Sequence, residues 1–524
     1  MIDRDTEYYL FSSIVVALVT TFAILAVARY RRHNHRHHQY IVSAGKKKKP
    51  LLLLPRAEAG IFETIRELAG DRAPFWMLEQ AHKLEYYSYR LPMPGNMVVV
   101  GDASLARSVL SDPRNEKAID LLKSFEITLG GTCMFTQPND LAKTTRKNTS
   151  RAFAASIVKG RMTSVCKRRI HEWIRDVLKP TIESKATIDP CREMLDVAFK
   201  IVCEVVFDYD ATLEECELFV QHGEVTAVEF GFKQMMNPLR PILGTWLAER
   251  AKAFDSVRWI QSFGLKMLEA HQKKKRELPA SEIPTTVISL IDDDPRYPSN
   301  KEKLPELLLW IFAGHDTVGY SMGTALYHLA KHPSELTKAR KALLLKEKKN
   351  ETETEIDAGA CKEVQNVIRE SNRLLPATAN ISIRTLGTET RTPDGQYRIP
   401  KGSTLFLPQY LPNHDHRLFD EPSVFKPDRW NDATAEAIDS NIPFSVGPRS
   451  CPGLALARVE MHQILPVLIR DFDFELVREG ELQFFITLKP VGVLLRPTYA
   501  TTDKASSSNN NNNNTNKCNA IFDH

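Results

Sequence analysis

The stretch Leu304 to Lys331 limits the fold more than any other. It carries Leu308, Leu309, Ile311, Phe312, Tyr320, Met322, Leu326 and Leu329, apolar nearly all round, with Pro305 near its start and Pro333 just past its end. A helix without a polar face belongs inside a core, sheathed by other elements. The rest of the chain can supply that sheath: 43% of its 524 residues are hydrophobic and 26% charged, the mixture of a globular protein with a sizeable interior. From about residue 56 to 497 there is no repeat and no long linker, only helical segments broken by short charged loops, which predicts one large, mainly α domain. Lys273 to Arg276 and Lys346 to Glu351 read as exposed connections, and Asp292 to Pro295 as a turn. Residues 381 to 411 differ, mixing β-branched residues with Pro393, Asp394 and Gly395 and then Pro400 to Gly402, and predict a small β region of short antiparallel strands.

Composition shifts at both ends. Leu10 to Ala28 holds nineteen residues without a formal charge, preceded by Asp3, Asp5 and Glu7 and followed by Arg29, Arg31, Arg32, Arg36 and four histidines. At about 1.5 Å per residue such a helix reaches roughly 28 Å, close to the thickness of a bilayer's hydrocarbon. The charge asymmetry places the bulk of the chain on the cytosolic side. Residues 1–28 are therefore expected to be an N-terminal transmembrane helix held in membrane lipid, and 29–55, with Lys46 to Lys49 between the anchor and Pro50 and Pro55, a basic, proline-bounded hinge. His33, His35, His37 and His38 read as part of a solvated flank. A catalytic domain is expected over 56–497, and the Ser/Asn-rich residues 498–524 are too polar to offset the entropy of ordering, so they read as a disordered tail. A net charge of +5 leaves no domain-wide basic field, so nucleic acid is not an expected partner. The eight cysteines are scattered without a CxxC pair, which suits reduced thiols facing the cytosol.

One cysteine stands apart. Phe444-Ser445-Val446-Gly447-Pro448-Arg449-Ser450-Cys451-Pro452-Gly453 is a glycine-rich loop that ends in a cysteine just before an apolar helical run. Backbone N–H groups and the dipole at a helix N-terminus favour the thiolate, the form of cysteine that ligates a metal. Three further motifs occur upstream: Ala313-Gly314-His315-Asp316-Thr317 midway along the apolar helix, Glu370-Ser371-Asn372-Arg373, and Phe425-Lys426-Pro427-Asp428-Arg429-Trp430. Taken alone, a Glu and an Arg three residues apart are common on solvated helices, and a mid-helix Thr often bonds back to its own turn.

Together the loop (FxxGxRxCxG), the ExxR pair, the aromatic-x-Pro-Asp-Arg-aromatic segment and the AGxDT segment resemble the cytochrome P-450 family, over roughly residues 50 to 497. The resemblance implies a mainly α fold with a small β region, in which haem b lies between the long helix and the cysteine loop. It makes Cys451 the axial ligand of the haem iron, with Phe444 shielding the sulfur, Gly447 and Gly453 allowing close approach of the backbone, and Arg449 pairing with a haem propionate. Glu370, Arg373 and Arg429 would form a structural network behind that loop. Ala313 and Gly314 would leave room above the iron and permit a local distortion of the helix, with Asp316 relaying protons and Thr317 holding water in register. His315 occupies a variable position and reads as a polar core contact. The family's WxxxR helix is matched imperfectly by Ala142 to Arg146, without the tryptophan, which leaves Arg146, Arg449 and Arg384 as the cationic anchors. Lys143, Lys147 and Arg151 share one helical face, either a solvated one or a docking site for an acidic flavoprotein.

The implied function is that of a membrane-anchored haem-thiolate monooxygenase. It would insert one atom of O₂ into an apolar small molecule, with electrons from NADPH through a separate diflavin reductase and cytochrome b5 as a further donor, at the endoplasmic reticulum or another membrane such as that of a plastid. Substrate contacts would come from the loop around Ile119 to Phe135, from Leu309, Phe312 and Ala313, from Thr378 to Ser382, and from Phe485 to Thr487. The rivals are a member of the same fold that isomerises or dehydrates hydroperoxides, a non-catalytic haem sensor, and a scaffold without a cofactor.

Overall fold

The long apolar helix forms as its pattern requires. In the computed structural model, which describes residues 52–68, 70–234, 240–242, 247–349 and 361–500, it runs as uninterrupted α-helix from Asn300 to Lys331. Its start lies four residues before the apolar run, because Ser299 and Glu302 close a capping box around the first turn. Pro305 is the sixth residue of this helix and lies inside it, where it cannot donate to the Lys301 carbonyl one turn earlier. Leu308, Ile311, Met322, Leu326 and Leu329 are all fully buried.

The helix is sheathed most closely by Pro190–Phe207, itself capped by Asp189, whose carboxylate accepts from the N–H groups of Cys191 and Arg192. Three glycines make the crossing close. A Cβ at Gly314 would sit 3.0 Å from Val202, one at Gly319 2.7 Å from the Leu195 Cα, and one at Gly323 2.5 Å from the Cys191 Cα. Gly314 therefore serves helix packing, and the helix is undistorted at 313–317, where the sequence allowed for a distortion. Further walls of the core come from Leu213–Thr226, Ala248–Glu277, Thr163–Trp173 and Leu454–Asp471. Lys273 to Arg276 are not a connection but the last turn of the 30-residue Ala248–Glu277 helix, where cations meet the negative end of the helix dipole. Lys346 to Lys349 likewise end the helix Pro333–Lys349.

The β region is small and lies to one side. Its main sheet has the order Ser88–Arg90, Met97–Val100, Thr404–Pro408, Asn380–Thr385, Glu116–Lys117. Within 381–411 the strands pair antiparallel as expected, Asn380–Thr385 with Thr404–Pro408 and Thr390–Arg391 with Tyr397–Ile399, while strands from outside join in parallel, Met97–Val99 along Thr404–Phe406 and Leu52–Leu53 along Tyr397–Arg398. Two antiparallel ribbons complete it, Glu481–Phe484 with Leu488–Val491 and Phe472–Arg478 with Leu494–Tyr499. Among the described residues no helix is long and apolar enough to cross a membrane. The expected anchor, nearly all of the hinge and nearly all of the tail lie outside the described residues.

Candidate functional site

The cysteine loop is closed by two backbone bonds, from the Cys451 N–H to the Phe444 carbonyl at 2.8 Å and from the Ser450 N–H to the Gly447 carbonyl at 3.1 Å. Gly447 has φ +77°, and a Cβ there would meet the Leu110 carbonyl at 2.3 Å, so only glycine lets the loop lie against the helix Ala103–Ser111. Gly453 caps the following helix Leu454–Asp471, and a Cβ on it would stand 3.8 Å from the cysteine sulfur. Burial pushes the Cys451 thiol up, while the N–H groups of Gly453 and Leu454 and the Arg146 guanidinium pull it down. Yet Cys451 retains accessible surface. Its surroundings are nonetheless dense enough for burial to be the largest influence on the thiol. Ala313 behaves similarly, exposed midway along a helix whose neighbouring residues are buried or half-buried.

The segment before the loop is tied down by an ion network centred on the wholly buried Glu370 and Arg373. Arg373 donates from Nε and Nη2 to both oxygens of Glu370, at 2.9 and 2.8 Å. Arg429 donates to Glu370 Oε1 at 2.8 Å, and so does the Lys426 N–H at 3.0 Å. Trp430 Nε1 reaches Oε2 at 3.0 Å, so this one carboxylate accepts from five donors. Arg373 also donates to the Asn413 and Pro422 carbonyls at 2.7 and 2.6 Å, tying the helix Lys362–Leu374 to the segment before the cysteine loop. The sequence points to the charged triad. The backbone acceptors carry no side-chain signal.

The cationic anchors fall into a cluster with one addition. Arg449 spends its guanidinium on the Met134 and Gln137 carbonyls and on Asn139 Oδ1, at 2.6, 3.0 and 3.1 Å. Arg146, on the helix Asn139–Thr149, has no hydrogen-bond or ion-pair partner among the described residues, and its charge is felt at Cys451. Arg384 is only 2% exposed and donates to Ser382 Oγ and the Ile383 carbonyl. Directly across the sheet from Arg384 stands Lys117, a residue sequence reasoning missed. Its ammonium lies 3.7 Å over the Phe135 ring. Burial, Arg449 and Arg384 push Lys117 well below its ordinary value, and burial and Arg449 hold Arg384 down at about 10. Burial and Arg146 hold Arg449 at about 10 as well. Like charges directly opposite on neighbouring strands are unfavourable, and Glu116 is the nearby carboxylate that pulls Arg384 and Arg449 the other way.

On the long helix, Thr317 donates to the Ala313 carbonyl at 3.0 Å, a bond within its own turn. Asp316 accepts instead from Thr487, at 3.1 Å. His315 is buried, bonds the Ile311 carbonyl at 2.7 Å and meets the Phe199 and Phe219 rings edge-on, the polar core contact its position suggests. Leu309 and Phe312 are half-buried against the main core, with Phe312 4.8 Å from the Phe219 ring, and Phe485 is 36% exposed at the tip of the Glu481–Val491 hairpin.

The family model for cytochrome P-450 matches residues 69–501, most of the sequence. The chain belongs to the cytochrome P-450 family. Among curated proteins it is similar to cytochrome P-450 4F12 of Homo sapiens, 29% identical over 220 residues, and to cytochrome P-450 3A16 of Mus musculus, 26% identical over 249. These matches cover 39% and 46% of this chain and 42% and 48% of the relatives. Cytochrome P-450 monooxygenase AFT11-1 of Alternaria alternata is 29% identical over 194 residues, 35% of this chain and 38% of the relative. The matched segments thus span under half the length of these relatives. A crystal structure of a cytochrome P-450, CYP102L1, shares the fold with a TM-score of 0.68 at 18% identity, covering 86% of this chain and all of the other.

The family's cofactor is haem, and the residues present fit it. Cys451 offers one accessible sulfur, and among the described residues no trio of His, Cys, Asp or Glu competes as a metal site. Lys117, Arg146 and Arg384 are the basic groups with which two propionates would pair, an anion nearby favouring their charged forms.

Proposed function

We propose that this cytochrome P-450 is a haem-thiolate monooxygenase acting on an apolar small molecule. The observation that carries the reading is Cys451, accessible just before the start of the Leu454–Asp471 helix, with the Arg146 guanidinium near enough to act on its sulfur. Haem b, bound through Cys451, would supply activation of O₂, one atom going to the substrate and the other to water, with a thiolate ligand favouring O–O cleavage. The protein's own part is holding and supplying. Lys117, Arg146 and Arg384 bind the propionate edge, and Arg449 braces the loop by its bonds to the 134–139 segment. Phe444, packed against the main core and joined to Cys451 by a backbone hydrogen bond, would keep water from the sulfur. Asp316 brings a proton to the distal side and the Thr317 hydroxyl orients the water that passes it. Leu309, Phe312 and Phe485 offer the apolar contact a hydrocarbon-rich substrate needs.

Electrons would come from NADPH through a diflavin reductase, with cytochrome b5 as a second donor, docking on the exposed face of Lys143, Lys147 and Arg151. The apolar run Leu10 to Ala28 with its basic flank supports an anchor in the endoplasmic reticulum membrane, the catalytic body in the cytosol. The test is the carbonyl spectrum of the dithionite-reduced protein. Wild type should give the thiolate-type band and Cys451→Ser should lose it. A serine variant that keeps the band, or a wild-type protein that binds no haem on supplementation, overturns the proposal.

A further inference from the structure

Thr487 lies 171 residues from Asp316 in sequence, yet its hydroxyl is the side-chain donor the structure gives to that carboxylate. The contact is built in. Thr487 sits at the turn between Glu481–Phe484 and Leu488–Val491 and is only 4% exposed, while the two residues before it, Phe485 and Ile486, are 36% and 43% exposed. The turn is held on both flanks: the Phe484 N–H donates to the Asp71 carbonyl at 3.1 Å and the Leu488 N–H to the Ala377 carbonyl at 2.9 Å. Two residues on, Lys489 grips the same helix one turn later, donating to the Tyr320 hydroxyl at 2.7 Å and pairing with Glu224 at 3.3 Å. Ile486 closes in on Gly231 beside Phe125, the side from which the apolar contacts come.

We infer that Thr487 is a positioning residue for Asp316, so that the hairpin presenting Phe485 and Ile486 to the substrate side also sets the carboxylate that supplies protons. The inference rests on the monooxygenase reading. A hydrogen bond to one oxygen of a carboxylate fixes its rotamer and leaves the other oxygen free to carry a proton. A substrate that presses on the hairpin tip moves Thr487 and with it the direction in which Asp316 points. Proton delivery then answers to occupancy through a contact made by neither haem nor substrate.

The test uses the haem-bound full chain with a diflavin reductase and NADPH and no added organic substrate. Under these conditions O₂ takes either two electrons and two protons to hydrogen peroxide or four of each to water. Asp316→Asn and Thr487→Val should each raise the peroxide-to-water ratio, by up to about tenfold for the loss of one charge-assisted bond, and change the solvent deuterium isotope effect on NADPH oxidation. Thr487→Ser, which keeps the hydroxyl, should match wild type, and the double variant should be no worse than Asp316→Asn. A second readout is amide hydrogen exchange of Phe485 to Leu488 in the resting protein. Lys489→Met should speed that exchange and move the peroxide-to-water ratio part of the way toward Thr487→Val, because it loosens the hairpin that carries Thr487. Thr487→Val with a wild-type ratio and isotope effect beside an altered Asp316→Asn overturns the inference, as does a Lys489→Met that speeds the exchange and leaves the ratio at the wild-type value. An unaltered Asp316→Asn overturns the proton-supply reading itself and this inference with it.

Discussion

Lys117 and Arg384 stand opposite each other on neighbouring strands, and both are held below their ordinary values by burial and by other cations. A pair that repels in a protein interior is retained where it has an anion to bind. Lys117→Met should therefore speed transfer of haem to apomyoglobin by about tenfold, the worth of one charge-assisted bond. An unchanged transfer rate would remove Lys117 from the anchor set. A second residue-scale outcome concerns Glu306, buried on the long helix. It accepts from the Met134 N–H at 2.8 Å and the Tyr297 hydroxyl at 3.1 Å, and burial pushes its carboxyl up to about 7. The folded protein thus binds a proton that the unfolded chain has already released, so stability falls as pH rises from the ordinary carboxylate range through about 7. The loss is on the order of 3 kcal/mol. Glu306→Gln should flatten that slope in denaturation midpoints taken from pH 5 to 8 and exceed wild type at the upper end.

Elements are joined here by devices of two kinds. The glycines of the long helix let its backbone touch that of Pro190–Phe207, and a Cβ at Gly323 would stand 2.5 Å from the Cys191 Cα and 2.7 Å from the Pro190 carbonyl. Neither atom can swing aside. Gly323→Val should cost about 3 kcal/mol or more, despite valine's better helix propensity, because two helices must separate. Midpoints of unfolding for Gly323→Val against a surface valine control decide it. The second device is the Glu370 carboxylate with its five donors. Glu370→Ala leaves Arg373, wholly buried, and Arg429, nearly so, without a counter-charge, at a cost of about 3–5 kcal/mol. Because those arginines tie together the segments preceding the cysteine loop, the variant should fail to incorporate haem. A holoprotein with an unchanged absorption spectrum would show that the network is dispensable.

For the molecule as a whole, the proposed function calls for an electron donor to dock near the cysteine loop. Lys143 and Lys147 are exposed on the helix that also carries Arg146. Replacing both with Glu should slow reduction by a diflavin reductase, with wild-type reduction also falling as salt rises, and should leave the ferrous carbonyl spectrum intact. Unaltered reduction kinetics would make the face a solvated one.

Much at this scale is legible in the order of residues. The buried helix, its neighbouring proline, the cysteine before a helix and the Glu–Arg pair are patterns that act within about four residues of themselves, so composition and spacing alone determine them. The tertiary structure decided what meets across long separations. It set Lys117 against Arg384, ran Met97–Val99 parallel to Thr404–Phe406, laid three glycines on one neighbouring helix, and brought Thr487 to Asp316. The physical reason is that closing a long loop costs only slightly more than closing a shorter one. Distant partners are therefore chosen by fit and burial in the assembled core, and no local run of residues announces them.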